Sequence, residues 1–180
     1  MSAAVVKARK PVAIIGILSM VAGLVLIIAG GVVWGVITSQ LKAEEITVSA
    51  VTEEDPGALA GKSVAGPFTA FAQANAINHH ALAASNNLTY AELGEKVTEL
   101  KAADADGNAD EIETLTAQRA TVMNGSFLRA SLFTSVVSYG VSALVMGLGL
   151  MFILIGWSLT ELNKAKTAVV VAEERVALKV

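Results

Sequence analysis

The chain has no cysteine. Disulfides, thiolate metal sites and cysteine nucleophiles are therefore excluded. Aromatic residues are scarce, at 5%, and the net charge is −3, so no basic, aromatic-lined surface for nucleic acid is expected. Histidine occurs only as the adjacent pair His79 and His80. Neighbours on a helix point about 100° apart, so such a pair does not readily chelate one ion. It reads as the polar face of a surface helix, with Asn75 and Asn78 beside it. The scarcity that matters most is of charge. Val12 to Leu41 contains no Asp, Glu, Lys or Arg, and neither does Ala130 to Thr160.

Each of these runs, as a helix, extends roughly 45 Å, whereas a bilayer core needs about 20 residues. The chain therefore reads as a two-pass membrane protein. A signal-peptide core spans only about 7 to 15 residues, so the first run is expected to be a retained span. Lys7, Arg9 and Lys10 precede it, and Lys164 and Lys166 follow the second run. Between the runs lie six basic residues and thirteen acids, a net of −7; the two ends carry seven and three, a net of +4. The basic N-terminal flank places both termini in the cytoplasm and the acidic loop outside. The expected fold is an all-α membrane protein, an antiparallel two-helix transmembrane hairpin with a small extracytoplasmic helical domain between the spans. Its parts are a cytoplasmic N-terminus (1–10), a first transmembrane helix (11–41) and the external domain (42–126). A second transmembrane helix with an external extension (127–160) and a cytoplasmic tail (161–180) follow.

Aromatic anchors give a bilayer register. Trp34 stands near the outer end of the first span and Trp157 near the inner end of the second. Counting about 20 residues from Trp157 places Ser138 and Tyr139 at the outer interface. Both spans carry small residues at a 3.5-residue period, the signature of left-handed packing. They are Gly16, Ser19, Gly23 and Gly30 in the first, and Ser131, Ser135, Ser138, Ser142, Gly149 and Gly156 in the second. If the stripes face each other, Gly16 pairs with Gly156, Gly23 with Gly149 and Gly30 with Ser142, each pair summing to 172. Small residues let backbones approach in lipid. Gly31 and Gly35 form a separate close-approach face.

Outside the runs, Ile46 to Val51 alternates like a short strand, and Asp55-Pro56-Gly57 marks a turn. Pro67 opens a helix to about Ser85, ended by Asn86-Asn87. Thr89-x-x-Glu92 is a capping box ahead of Tyr90, Leu93, Val97 and Leu100. A further helix is expected from Asp110 to about Val122, broken at Asn124-Gly125, with Ser126 capping the helix into the membrane.

No catalytic or cofactor-binding residue is expected. Gly57-x3-Gly61-Lys62-Ser63 is one residue short of a P-loop and has no hydrophobic strand before it. Asp104, Asp106, Asp110 and Glu113 fall at calcium-loop positions 3, 5, 9 and 12, but position 1 is Ala102. A solvated acidic turn is the expected reading; these four residues are what a weak calcium site would use.

Gly66-Pro67-Phe68 through His79-His80-Ala81-Leu82, Thr89-Tyr90-Ala91-Glu92-Leu93, and Arg119 to Asn124 running into Ser126 to Ser135 together resemble a family of small membrane proteins from Gram-positive bacteria. Members are often labelled a subunit of an aromatic ring-opening dioxygenase. The resemblance covers most of the chain, with about twenty residues between Leu93 and Arg119 reading as an insertion. It implies the two-span architecture. Ring-opening non-haem iron enzymes typically use two histidines and a carboxylate on one metal face, which an adjacent pair does not supply. The expected role is a non-enzymatic accessory or scaffolding subunit of a larger envelope or respiratory complex, in contact with the bilayer and other membrane subunits. The competing reading is an extracytoplasmic sensor or ligand-binding module.

The orientation is tested with single cysteines, Ser2→Cys and Asp106→Cys, in intact cells. An impermeant thiol reagent should label position 106 and spare position 2; the reverse pattern would overturn the orientation.

Overall fold

A computed structural model describes the backbone from Lys10 to Ala177 and the side chains from Pro11 to Lys164. The flanking basic residues Lys7 and Arg9 and the side chains of Lys10 and Lys166 lie outside this description. The described residues form four helices and no strand: α1 (Lys10–Ala43), α2 (Pro67–Ala83), α3 (Tyr90–Asp104) and α4 (Ala109–Ala177). Two of them are long and apolar enough to cross a membrane, with Pro11–Ala43 at mean hydropathy 2.9 and Ala109–Lys164 at 2.1 over their most apolar windows. The chain divides into two compact units, residues 1–34 with 141–180, and residues 35–140. The first consists of the apolar lengths of α1 and α4. The second contains α2, α3 and the remaining turns of α1 and α4.

In the second unit the segment after α1 folds back on itself without making a strand. Thr47 and Ser63 form one isolated antiparallel bridge. Val48 N–H donates to Lys62 O and Val64 N–H to Ile46 O, both at 2.8 Å. The alternation of Ile46 to Val51 thus serves a two-sided loop that buries Val48 and Val64. Gln73 of α2 fastens this loop: its buried side-chain oxygen accepts from Ser49 N–H at 2.7 Å.

Pro67 begins α2, where its missing N–H costs nothing. Asn86 and Asn87 end the region in left-handed conformation, at φ 54° and 61°, which asparagine tolerates better than most residues. At the start of α3, Thr89 N–H donates to Glu92 Oε2 at 2.8 Å while Glu92 N–H reaches Thr89 Oγ1 at 3.4 Å. The apolar side of α3 then packs Leu93 and Val97 against Leu115 and Val122 of α4, with Leu88, Tyr90, Leu100 and Ile112 around them.

One expectation needs correction. Asn124 and Gly125 do not break the chain, and Ser126 does not cap a new helix; α4 is continuous from Ala109 to Ala177. Ser126 Oγ instead donates back to Val122 O at 2.9 Å inside the helix. Gly125 is buried because α2 passes across it: a Cβ there would sit 2.8 Å from Ala81 Cβ. A mid-helix glycine costs about 1 kcal/mol against alanine, and tertiary contact with α2 offsets that cost.

The Thr89 backbone N–H, and then its hydroxyl, hold the Glu92 carboxyl below its ordinary value. A depressed folded value means the box contributes stability above the unfolded pKa and loses it as pH falls through the folded one. Thr89→Ala should lower the stability of the helical unit by about 1 kcal/mol. It should also blunt the loss of α3 helicity on acidification, as followed by circular dichroism.

Candidate functional site

Two features outside the compact cores of the helices are built to meet something: a glycine seam in the first unit and an apolar groove in the second. In the seam, Gly16, Gly23 and Gly30 of α1 and Ser142, Gly149 and Gly156 of α4 are all buried. A Cβ on Gly16 would lie 2.8 Å from Gly156 O, one on Gly149 2.6 Å from Gly23 O, and one on Gly30 2.9 Å from Ser142 O. Adding the covalent path from each Cα bounds the three Cα separations at about 7 Å. Flanking side chains close over the contacts, with Ile153 beside Gly23, Ile27 beside Gly149 and Met20 beside Gly156. Successive partners rise along one helix as they fall along the other. By contrast Gly31 and Gly35 are exposed, and a Cβ on either meets nothing within 4 Å.

The upper half of the α4 stripe behaves differently. Ser131, Ser135 and Ser138 line a groove of about 630 Å³. Its walls come from Val36, Ile37 and Leu41 of α1, Ile77 of α2, and Leu128 and Leu132 of α4. The serines are partly satisfied within their own helix; Ser138 Oγ, for instance, donates to Thr134 O at 2.8 Å. Glu44 is the one charged side chain in the lining. The volume falls within the range of small-molecule sites, which are mostly apolar with a few polar groups.

Of the aromatic anchors, Trp157 is exposed and Trp34 is half-buried. Tyr139 is 1% exposed, so its ring faces protein. Its hydroxyl lies 2.8 Å from Thr38 Oγ1 and 3.4 Å from Ala65 O, tying α1, α4 and the turn before α2 together. Two basic residues do similar work. Arg119 stacks over Tyr90 at 4.0 Å, and Arg129 lies over Phe133 at 5.2 Å while donating to Asn78 Oδ1 at 3.3 Å. Their Nε atoms are buried without a hydrogen-bond partner, so ring contact replaces part of the lost solvation. Sequence reasoning passed over both arginines as loop charges. The groove had a faint signal: three of the four serines in the α4 stripe, Ser131, Ser135 and Ser138, line it.

The histidine rings stand 5.9 Å apart at 69° on the exposed side of α2. His80 Nε2 lies 3.2 Å from Val51 O. Among the described residues no three His, Asp or Glu side chains gather as a metal site would require. Asp104, Asp106, Asp110 and Glu113 are therefore not brought into one cluster. Asp104 Oδ1 accepts from Gly107 N–H at 3.0 Å, closing the α3–α4 turn, and Asp110 and Glu113 belong to the first turns of α4.

No protein family, curated protein or solved structure matches the chain. The geometry therefore stands alone as a guide to function.

Gly23→Leu should force the seam apart and destabilise the folded state by about 1–3 kcal/mol, the usual penalty of overpacking. Gly31→Leu, facing open space, should be tolerated. Denaturation in mixed micelles, followed by tryptophan fluorescence, measures both. Equal effects at the two positions would contradict the seam.

Proposed function

We propose that the chain is an integral membrane protein whose α1 and α4 cross the bilayer as an antiparallel hairpin. In this reading segment 42–126 is a small extracytoplasmic domain and both termini are cytoplasmic. The observation that carries the reading is exposure of apolar surface. Only 11% and 17% of the most apolar windows of the two helices is buried. The core helix of a water-soluble protein is mostly buried, and a soluble monomer rarely leaves apolar patches of this extent. The glycine seam supports the hairpin, because backbone approach at small residues is how helices associate where lipid removes the ordinary hydrophobic drive.

Within the membrane the protein acts as a non-enzymatic accessory or scaffolding subunit of a larger envelope or respiratory complex. Support comes from surfaces that recognise without reacting. Phe127 and Leu128 are 65% and 57% exposed at the start of the external extension expected for the second span, and Leu128 also lines the groove. Gly31 and Gly35 leave a smooth face on α1 for another helix. The resemblance to small bacterial membrane proteins labelled as dioxygenase subunits agrees with the subunit part of that label. The histidine geometry gives no support to the dioxygenase part. The groove favours a second reading, an extracytoplasmic ligand-binding module. Its apolar walls and single acidic group fit an uncharged or cationic amphiphile and disfavour an anion.

Purification in mild detergent followed by mass spectrometry separates the two. The subunit reading expects a stoichiometric membrane partner that is lost with Phe127→Ser and Leu128→Ser together while the protein still inserts. A partner-free monomer carrying a small molecule, displaced by Ser135→Trp in the groove, would replace that reading with the ligand-binding one.

A further inference from the structure

The N-terminal turn of α2 has features that the roles above do not use. The region between the two apolar runs holds nineteen charged residues, yet Ser63 to Ala91 contains none. This uncharged stretch includes all of α2 and the turn that leads into it. An ordinary solvated helix on an acidic domain carries charge on its outer face.

Register shows where this helix goes. Along the outer length of α4, Ala81 lies against Gly125, Asn78 bonds Arg129, Phe71 packs edge-to-face on Phe133 at 5.7 Å, and Ala65 O meets Tyr139 OH. α2 therefore runs antiparallel to α4, and its first turn is the end nearest Tyr139. By interpolation Phe68 comes level with Val136 and Val137. Ser138 and Tyr139 mark the outer boundary of the apolar core counted from Trp157. Two residues further out is about 3 Å of helix, inside a headgroup layer that is about 5–7 Å deep in each leaflet.

At that height the surface is apolar and uncovered. Phe68 is 80% exposed, the most exposed large hydrophobic side chain among the described residues, and Phe71 and Val137 are also exposed. The turn meets part of its own hydrogen-bonding demand. Thr69 Oγ1 accepts from the N–H groups of Ala65 and Gly66 at 3.1 and 3.2 Å and donates to Gly66 O at 3.1 Å, and Pro67 has no N–H to satisfy. The remaining first-turn N–H groups can take water, which the interface layer holds.

We propose that the N-terminal turn of α2 is a foot that rests in the outer lipid interface, with Phe68 inserted among the headgroups and Phe71 and Val137 beside it. The partner is the bilayer surface of the leaflet the chain already crosses, so the proposal rests on the membrane-spanning reading. The foot adds a third point of membrane contact. No cation lies in the uncharged stretch, so the contact is apolar and indifferent to anionic lipid.

The cysteine-free chain suits site-directed spin labelling. Nitroxides at Phe68→Cys, Val25→Cys and Asp106→Cys are compared in the full-length protein in phosphatidylcholine bilayers, with oxygen as the lipid-soluble and a nickel chelate as the water-soluble collider. Position 25 should favour oxygen and position 106 nickel. Position 68 should show an oxygen-to-nickel ratio several-fold above that at 106, unchanged when phosphatidylglycerol is added. Nickel-dominated collisions at 68, with 25 still in lipid, would overturn the foot alone. Nickel-dominated collisions at 25 would overturn the membrane reading itself. A label at 68 shielded from both colliders would mean that protein covers the turn, which also overturns the foot. Phe68→Trp, in a background with Trp34→Phe and Trp157→Phe, gives an independent check. Lipids brominated near the headgroup end of the chain should quench it more strongly than lipids brominated near the methyl end.

Discussion

Backbone contact at glycine sets the limits within which the apolar helices are arranged. Gly16 and Gly156, and Gly23 and Gly149, each meet at the partner's carbonyl oxygen, and any side chain at these positions would occupy space already taken by backbone. In water a helix pair is held by removing apolar surface from solvent. In the membrane-spanning reading proposed above, lipid offers no such gain, and the pair then depends on close packing of atoms over a shared length. The heptad repeat of small residues supplies that length and fixes one register, because shifting α4 by one residue would place leucine, isoleucine or tryptophan where Gly149 and Gly156 now stand.

The second unit is held by different forces. Its core is modest, built from alanines of α2 and a short leucine and valine cluster between α3 and α4. Alanine allows α2 to lie close to α4, as at Ala81 and Gly125. Individually small polar ties then determine which segments meet. Gln73 holds the loop after α1, Tyr139 joins three segments through one hydroxyl, and Ser85 donates within the α2–α3 turn to Leu88 O at 2.7 Å. Each is a buried polar group that would cost more unpaired than it gains when paired. The ties therefore contribute more to specificity than to net stability.

Much of the helical architecture was legible because it is local. Charge-free runs, the Thr89–Glu92 box and the Asn86-Asn87 stop are all decided by residues within a turn or two of each other. The stripe spacing was legible for a related reason: periodicity survives in one dimension even when its partner is a hundred residues away. Asn124-Gly125 misled because propensity describes an isolated helix, and the contact from Ala81 that fills the glycine notch is not a local property. Tyr139 reads as an interfacial aromatic by position, yet its hydroxyl partner, Thr38, is 101 residues distant. The foot at Phe68 was hidden for the same reason, since its height follows only from the pairing of α2 with α4. Function was least legible, because surfaces that bind helices or lipid need shape and apolarity, which many sequences satisfy without a motif.

The central claim is that the α1 and α4 stripes face each other within one chain. It is tested most directly by oxidative cross-linking in native membranes of Gly30→Cys with Ser142→Cys, against Gly31→Cys with Ser142→Cys. A disulfide needs Cα atoms about 4.4–6.8 Å apart, and the seam offers that separation at position 30 while turning position 31 away by about 100°. The first pair should close within a single chain, so that the fragments stay joined after cleavage in the loop. The second pair should not close. Disulfides that form only between chains, or equally at 30 and 31, would contradict the account.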